Sequence, residues 1–265
     1  MQASGVITIT TDFGHKGPFA AVMKGVIISR FPEARIIDVT HDIPAQWPPE
    51  AGFWVSHAYR YFPQGTVHRA IVDPGVGTER DILIVEHDQH YFMAPDNGLL
   101  ARMLDKADDA SVFKLDIDAL CRLEIFCPSM TFHGRDIFAP VAAELAARRT
   151  TPVAIGKPTY DWVPAWLEDA ELNDHTATGV IVTVDTFGNL ISNIEADMVE
   201  DMENPVVRIG GREIPMLSTY GRASPGDFLA LINSFGVVEI AQAEGNAAAS
   251  LGTDRGAPVI VSGGS

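Results

Sequence analysis

One property of the chain limits its fold more than any other: the hydrophobic period changes part way along. In the first part, short β-branched runs (Val6 to Thr11, Arg35 to Thr40, Val67 to Val72, Ile82 to Glu86, Tyr91 to Ala94, Val112 to Leu115) alternate with helical spacings (Pro18 to Phe31, Glu50 to Phe62, Gly98 to Asp105, Ile137 to Arg149). Strands and helices in turn predict an α/β domain, here with a mostly parallel sheet. In the last part only short apolar runs remain, such as Gly179 to Asp185, Val206 to Ile209, Asp227 to Ile232, Val237 to Ala241 and Pro258 to Val261, separated by Gly, Pro and Asn. These predict a smaller all-β, barrel-like domain. Breakers and short polar residues between the two parts mark a linker. The expected organisation is an α/β domain over 1–160, a linker over 161–176 and a β-barrel domain over 177–265.

The charge distribution agrees with that division. The formal net charge is −16, and residues 161–204 hold eleven Asp and Glu but no Lys or Arg. A field of this sign repels nucleic-acid phosphates and anionic lipid headgroups. No basic patch offsets it, because Arg148-Arg149 suits the carboxyl end of a helix. No apolar run approaches the roughly 18 residues of a membrane span. Met1 to Gly5 lacks the basic and apolar regions of a secretory leader, and Val6 to Thr11 reads as a first strand. Two cysteines, Cys121 and Cys127, make no disulfide framework and are expected as reduced core or loop thiols. The expectation is a cytoplasmic protein without nucleic-acid or membrane partners.

In an open α/β sheet, ligands gather beyond the carboxyl ends of the strands. Three acids are expected there: Asp12 in TTDFG, Asp73 in VDPGVGTER and Asp96 in APDNG. Asp beside Gly or Pro is also ordinary turn chemistry, but three such residues at one edge favour a site. Gly75 and Gly77 around Pro74 suggest backbone passing close to a ligand. They match neither the P-loop nor the dinucleotide fingerprint, which disfavours nucleotide phosphates. In FHGRDIFAP, His133, Arg135 and Asp136 crowd the start of a helix, where Asp136 is equally a first-turn acid and His133 a satisfied loop histidine. The eight histidines are scattered and HExxH and paired CxxC are absent, so no metal is expected. In the barrel half, VDTFGN places Asp185 and Asn189 around a turn, and NSFG repeats that chemistry. Both are hairpin candidates whose polar groups also suit a purine edge or an amino-acid head group.

These segments, together with VTHDIP (39–44), APDNGLL (94–100) and NSFGVVEIAQAEGNAA (233–248), resemble the S-adenosyl-L-methionine (SAM) hydroxide adenosyltransferases, a family similar to the fluorinases and chlorinases. The resemblance runs in order over nearly the whole chain. It implies an α/β domain, a C-terminal β-barrel, and a homotrimer with the substrate at the interface of adjacent subunits. The implied reaction is hydrolysis of S-adenosyl-L-methionine to adenosine and methionine by attack of water or hydroxide at the ribose 5′ carbon, with no cofactor. Carried over residue by residue, Asp73, Arg80 and His133 match the set that handles the attacking water, and Asp12 the carboxylate that holds the ribose diol. Asn189 resembles the adenine-recognising amide, Asp185 and Ser234 resemble contacts to the methionine portion, Glu239 belongs to the same pocket, and Trp47 resembles an aromatic wall. Two departures separate this chain from the halogenating branch: His133-Gly134-Arg135-Asp136 where a halide-trapping segment would stand, and Phe235 after Ser234 where those enzymes carry Arg. Water is therefore the expected nucleophile. A halogenase and a non-catalytic adenosine or SAM sensor are the competing readings.

Overall fold

A computed structural model of the chain describes residues 1–263 and divides it into two compact units, Met1–Trp166 and Leu167–Ser265. In the first unit the order is β1 (Val6–Thr11), α1 (Phe19–Arg30), β2 (Arg35–Thr40), α2 (Pro48–Ala58), β3 (Val67–Ile71), β4 (Ile82–His87), β5 (His90–Pro95), α3 (Ala101–Asp105), β6 (Ser111–Leu115), α4 (Ile117–Arg122), α5 (Ala139–Ala146), α6 (Pro152–Ile155) and β7 (Gly156–Pro158). The strands form one seven-stranded sheet in the order β2-β1-β3-β5-β4-β6-β7.

That sheet is mixed, which corrects the expectation of a mostly parallel one. The pairs β1–β2, β1–β3 and β3–β5 are parallel, whereas β4–β5, β4–β6 and β6–β7 are antiparallel. The reason lies in the connections. Helices α1 and α2 supply the crossovers that join β1, β2 and β3, but only Asp88 and Gln89 separate β4 from β5. Both have positive φ, 44° and 60°, the conformation of a two-residue hairpin turn. A chain reversed that tightly can pair only antiparallel.

Side chains alternate across this sheet and give two cores. On one face Ile7, Ile9, Val67 and Ile71 pack against Met23 and Ile27 of α1 and Val141 of α5; on the other, Ala70, Val72 and Phe92 pack against Ala51 and Val55 of α2 and Leu104 of α3. Each fully buried Ile or Val contributes roughly 1.5–3 kcal/mol over an exposed one. Helix α5 is buried along its whole length, so its start is held firmly. The two cysteines are free and exposed, Cys121 on α4, so neither is a core thiol.

The second unit contains β8 (Glu171–Asn173), β9 (Thr176–Val184), β10 (Leu190–Glu195), β11 (Val206–Ile209), β12 (Arg212–Pro215), β13 (Phe228–Ile232), β14 (Val237–Gln242), α7 (Ala247–Leu251) and β15 (Pro258–Ser262). The sheet order is β12-β11-β15-β9-β10-β14-β13, with β8 on β9 and every ladder antiparallel. Just past β12, Leu217 N–H donates to the Ala230 carbonyl at 2.7 Å, so the sheet is nearly closed and barrel-like. Its interior is apolar, with Ile181, Leu190, Val207, Ile240, Val259 and Val261 at its centre. No helix among the described residues is long and apolar enough to cross a membrane.

Candidate active site

Asp12, Asp73 and Asp96 follow the carboxyl ends of β1, β3 and β5, which are neighbours in the sheet. Their tasks differ. Asp96 is buried and accepts the Val163 N–H at 2.8 Å, and its neighbour Asn97 donates to the Val72 carbonyl at 2.8 Å and accepts the Trp166 indole N–H at 2.7 Å. That pair anchors the chain around residues 163–166, so for Asp96 the turn-and-tether role is the structural one.

Asp73 begins a loop that turns back on itself. Val76 N–H reaches the Asp73 carbonyl at 3.3 Å and the Thr78 hydroxyl reaches the Gly75 carbonyl at 2.7 Å. The reversal lays Arg80 over Asp73: Nε lies 3.0 and 3.1 Å from the two carboxylate oxygens, and Nη2 closes on Oδ2. Gly77 is needed here for two reasons. Its φ is +81°, and a Cβ would stand 2.2 Å from the Met130 carbonyl oxygen. The close approach that the glycine serves is to the chain's own backbone, three residues before His133.

His133 leads into a π-helical turn, Gly134–Phe138, that continues as α5. Such turns re-aim side chains within a helix and recur at functional sites. Here the imidazole meets Arg80, whose Nη2 donates to His133 Nδ1 at 3.0 Å. Arginine has no acceptor, so Nδ1 must carry the lone pair and the ring proton sits on Nε2. Burial first, and then the Arg80 charge, hold the His133 pKa below the usual histidine range. The three side chains are well sheltered: those of Asp73 and Arg80 are 6% and 11% exposed and His133 is 8% exposed. Arg135 and Asp136 have the structural role instead. They pair with each other at 2.5 and 2.7 Å, Asp136 accepts the Ser129 N–H at 2.9 Å, and Arg135 stacks on Phe132.

Asp12 is joined to this group in two ways. Its pKa is raised, chiefly by burial and further by the negative charge of Asp73, against a backbone hydrogen bond from Gln46 at 3.0 Å. Next to it, Phe13 packs edge-on against Phe132, the residue before His133, with centroids 5.9 Å apart, and Phe19 completes the aromatic trio. Trp47 follows Gln46 and packs edge-on against Trp166 at 6.1 Å. Its indole N–H is buried and has no partner among the described residues. Gln46, the phenylalanine trio and Trp166 carried no sequence signal beyond their adjacency to the motifs.

In the barrel unit Asp185 and Asn189 form a tight knot. Asp185 Oδ1 accepts the N–H groups of Phe187 and Asn189, both at 2.9 Å, and Oδ2 accepts Asn189 Nδ2 at 3.0 Å. Glu239 on β14 is buried, and burial together with the Asp185 charge raises its pKa. Tyr220 and Asn233 donate to it. Asn233 was legible as the first residue of NSFG, whereas Tyr220 had no signal. Ser234 is exposed on the turn that follows, and Phe235 N–H donates to Asn233 Oδ1 at 2.9 Å.

Among the described residues, no group of three or more His, Cys, Asp or Glu is disposed to hold a metal ion. The electrostatics therefore split: a cation shared between a carboxylate and an imidazole in one unit, and two carboxylates served by neutral donors in the other.

Family comparisons cover both units. Residues 7–156 match the SAM hydroxide adenosyltransferase N-terminal domain and residues 179–260 the corresponding C-terminal domain. An (R)-S-adenosyl-L-methionine hydrolase of Thermus thermophilus is 34% identical over 94% of this chain and 96% of its own length. A fluorinase of Actinoplanes is more distant, 24% identical over 91% of this chain and 93% of its own. The crystal structure of an uncharacterized conserved protein from Thermotoga maritima superposes with a TM-score of 0.87 at 32% identity, covering 97% of this chain and 99% of that one. With both of its domains matched and a hydrolase relative aligned almost end to end, the chain belongs to the SAM hydroxide adenosyltransferase family.

Proposed function

We propose that the protein hydrolyses S-adenosyl-L-methionine to adenosine and L-methionine by in-line attack of a bound water at the ribose 5′ carbon. The observation that carries this reading is the Arg80 guanidinium shared between Asp73 and His133. The sulfonium is already a good leaving group, so nothing need protonate the departing side. The difficult partner is water, with a pKa of about 15.7 in bulk.

The hydrogen-bond pattern divides the work among the three residues. His133 Nδ1 is occupied by Arg80, so its Nε2–H serves as a donor that orients the water. Asp73 Oδ1 accepts a single N–H and keeps a second lone pair. It is the acceptor for the water's proton. Arg80 fixes both groups and is not itself a base. General-base help of this kind contributes about 10² to 10⁴ in rate. Placement of the water in line with the scissile bond contributes up to about 7–11 kcal/mol more. Attack of an incipient hydroxide on a cation cancels charge, which a sheltered site favours.

Asp12 holds the ribose diol, Asn189 the adenine edge, and Asp185 with Ser234 and Phe235 the methionine portion, with Glu239 behind them; Trp47 supplies an apolar wall. The enzyme works as a homotrimer with substrate at the interface of adjacent subunits, in the cytoplasm, without cofactor. Incubation with S-adenosyl-L-methionine tests the reading: equimolar adenosine and methionine support it, and binding without release of adenosine supports a sensor instead.

A further inference from the structure

Glu239 is only 4% exposed, and its flanking neighbours Val238 and Ile240 point into the barrel core while it does not. Its partners are neutral: Tyr220 OH donates to Oε1 at 2.5 Å and Asn233 Nδ2 to Oε2 at 3.1 Å. The charge that acts on it is that of Asp185, which has the same sign. A buried carboxylate without a cation is costly.

Asn233 connects it to the turn. The amide that donates to Glu239 also accepts, through Oδ1, the backbone N–H of Phe235 at 2.9 Å and of Val237 at 3.4 Å. Its backbone closes the same turn, with Asn233 N–H on the Val237 carbonyl and Gly236 N–H on the Asn233 carbonyl. Both ends of the amide are used, so it cannot flip without breaking these bonds. Tyr220 belongs to a separate short helical turn, Tyr220–Arg222. One carboxylate therefore ties together that turn, strand β14 and the β13–β14 connection.

We propose that Glu239, held by Tyr220, is a positioning residue that acts through Asn233 to set the β13–β14 turn presenting Ser234 and Phe235 to the amino-acid portion of the substrate. The identity of the ligand rests on the proposed reaction; the geometry of the turn does not. The test combines hydrogen exchange with calorimetry. Glu239→Ala is expected to speed exchange at the Phe235 and Val237 amides about tenfold or more. It should weaken S-adenosyl-L-methionine binding about tenfold while adenosine, which lacks the amino-acid portion, binds within about twofold of the wild type. Tyr220→Phe shifts both readouts in the same direction by less, and Glu239→Gln, which keeps an acceptor, restores part of the loss. Unchanged exchange at both amides, or equal losses for the two ligands, would overturn the proposal. A wild type that releases no adenosine would defeat the proposed reaction, while the exchange result would still judge the turn.

Discussion

Compare the Asp73–Arg80–His133 cluster of the α/β unit with the acidic cluster of the barrel. In the first, Arg80 lies 3.0 Å from both a carboxylate oxygen and an imidazole nitrogen, so the charge is balanced inside the group. In the second, Asp185 and Glu239 are satisfied by amides, a phenol and backbone N–H groups, and their negative charge is left over. A balanced group can hold a neutral water without attracting a competing ion. An unbalanced anionic group favours a cationic ligand, and the proposed substrate carries both a sulfonium and an ammonium. On the proposed function, chemistry falls to the first group and recognition of the cationic substrate to the second.

The sharpest way to break the contrast is at the balanced end. Asp73→Asn and His133→Ala should each lower kcat by about tenfold to a thousandfold while substrate affinity stays within a few-fold. Affinity lost in proportion to turnover would assign these residues to binding instead. Asp12→Ala should reduce both quantities, each by about tenfold, because a ribose held loosely loses the in-line geometry; calorimetry beside steady-state kinetics checks this. The pH profile probes the same cluster more gently. Burial and Arg80 hold His133 below the histidine value of 6.5, so the neutral, donating ring persists as pH falls through 6.5. Between pH 7.5 and 6.5, kcat should change by less than about twofold, with its decline setting in only below; a midpoint at or above 6.5 contradicts the assignment.

The smallest expected effect lies outside both clusters. Arg69 on β3 is fully buried, its three guanidinium nitrogens have no partner among the described residues, and its pKa is pushed down to about 9 by burial. Asp38, whose charge acts on it, is already engaged by Lys24 at 2.5 Å and His41 at 3.1 Å. Arg69→Met removes this uncompensated cation and should stabilise the unit by about 1 kcal/mol, a rise of a few degrees in Tm, with activity unchanged. A lower Tm would show that the guanidinium has an acceptor.

Much of the architecture was readable because it follows from period. The first six strands and the four principal helical stretches of the α/β unit stand within a few residues of where alternation and breakers put them. What was not readable was direction. Whether β4 and β5 pair parallel or antiparallel turns on two residues with positive φ, neither of them Gly or Asn. Strand β7 was hidden by Lys157 and Pro158, residues that suggest a loop but suit a sheet edge. Asp73, Arg80 and His133, singled out through the family resemblance, are brought together by the fold, whereas the use made of the neighbouring motifs was not legible. Gly77 serves a backbone crossing, Asp96 a tether and Asp136 an internal ion pair. Tyr220 lies in a stretch with no pattern, and only the folded barrel brings it to Glu239.

In the proposed reaction water is the nucleophile, oriented by Asp73, Arg80 and His133. Turnover of S-adenosyl-L-methionine in oxygen-labelled water, followed by mass analysis of the adenosine, tests this directly. The expected result is one labelled oxygen in the 5′ hydroxyl of each adenosine released, with no 5′-halogenated nucleoside when chloride or fluoride is added. Unlabelled adenosine, or a 5′-halo product in its place, would contradict it.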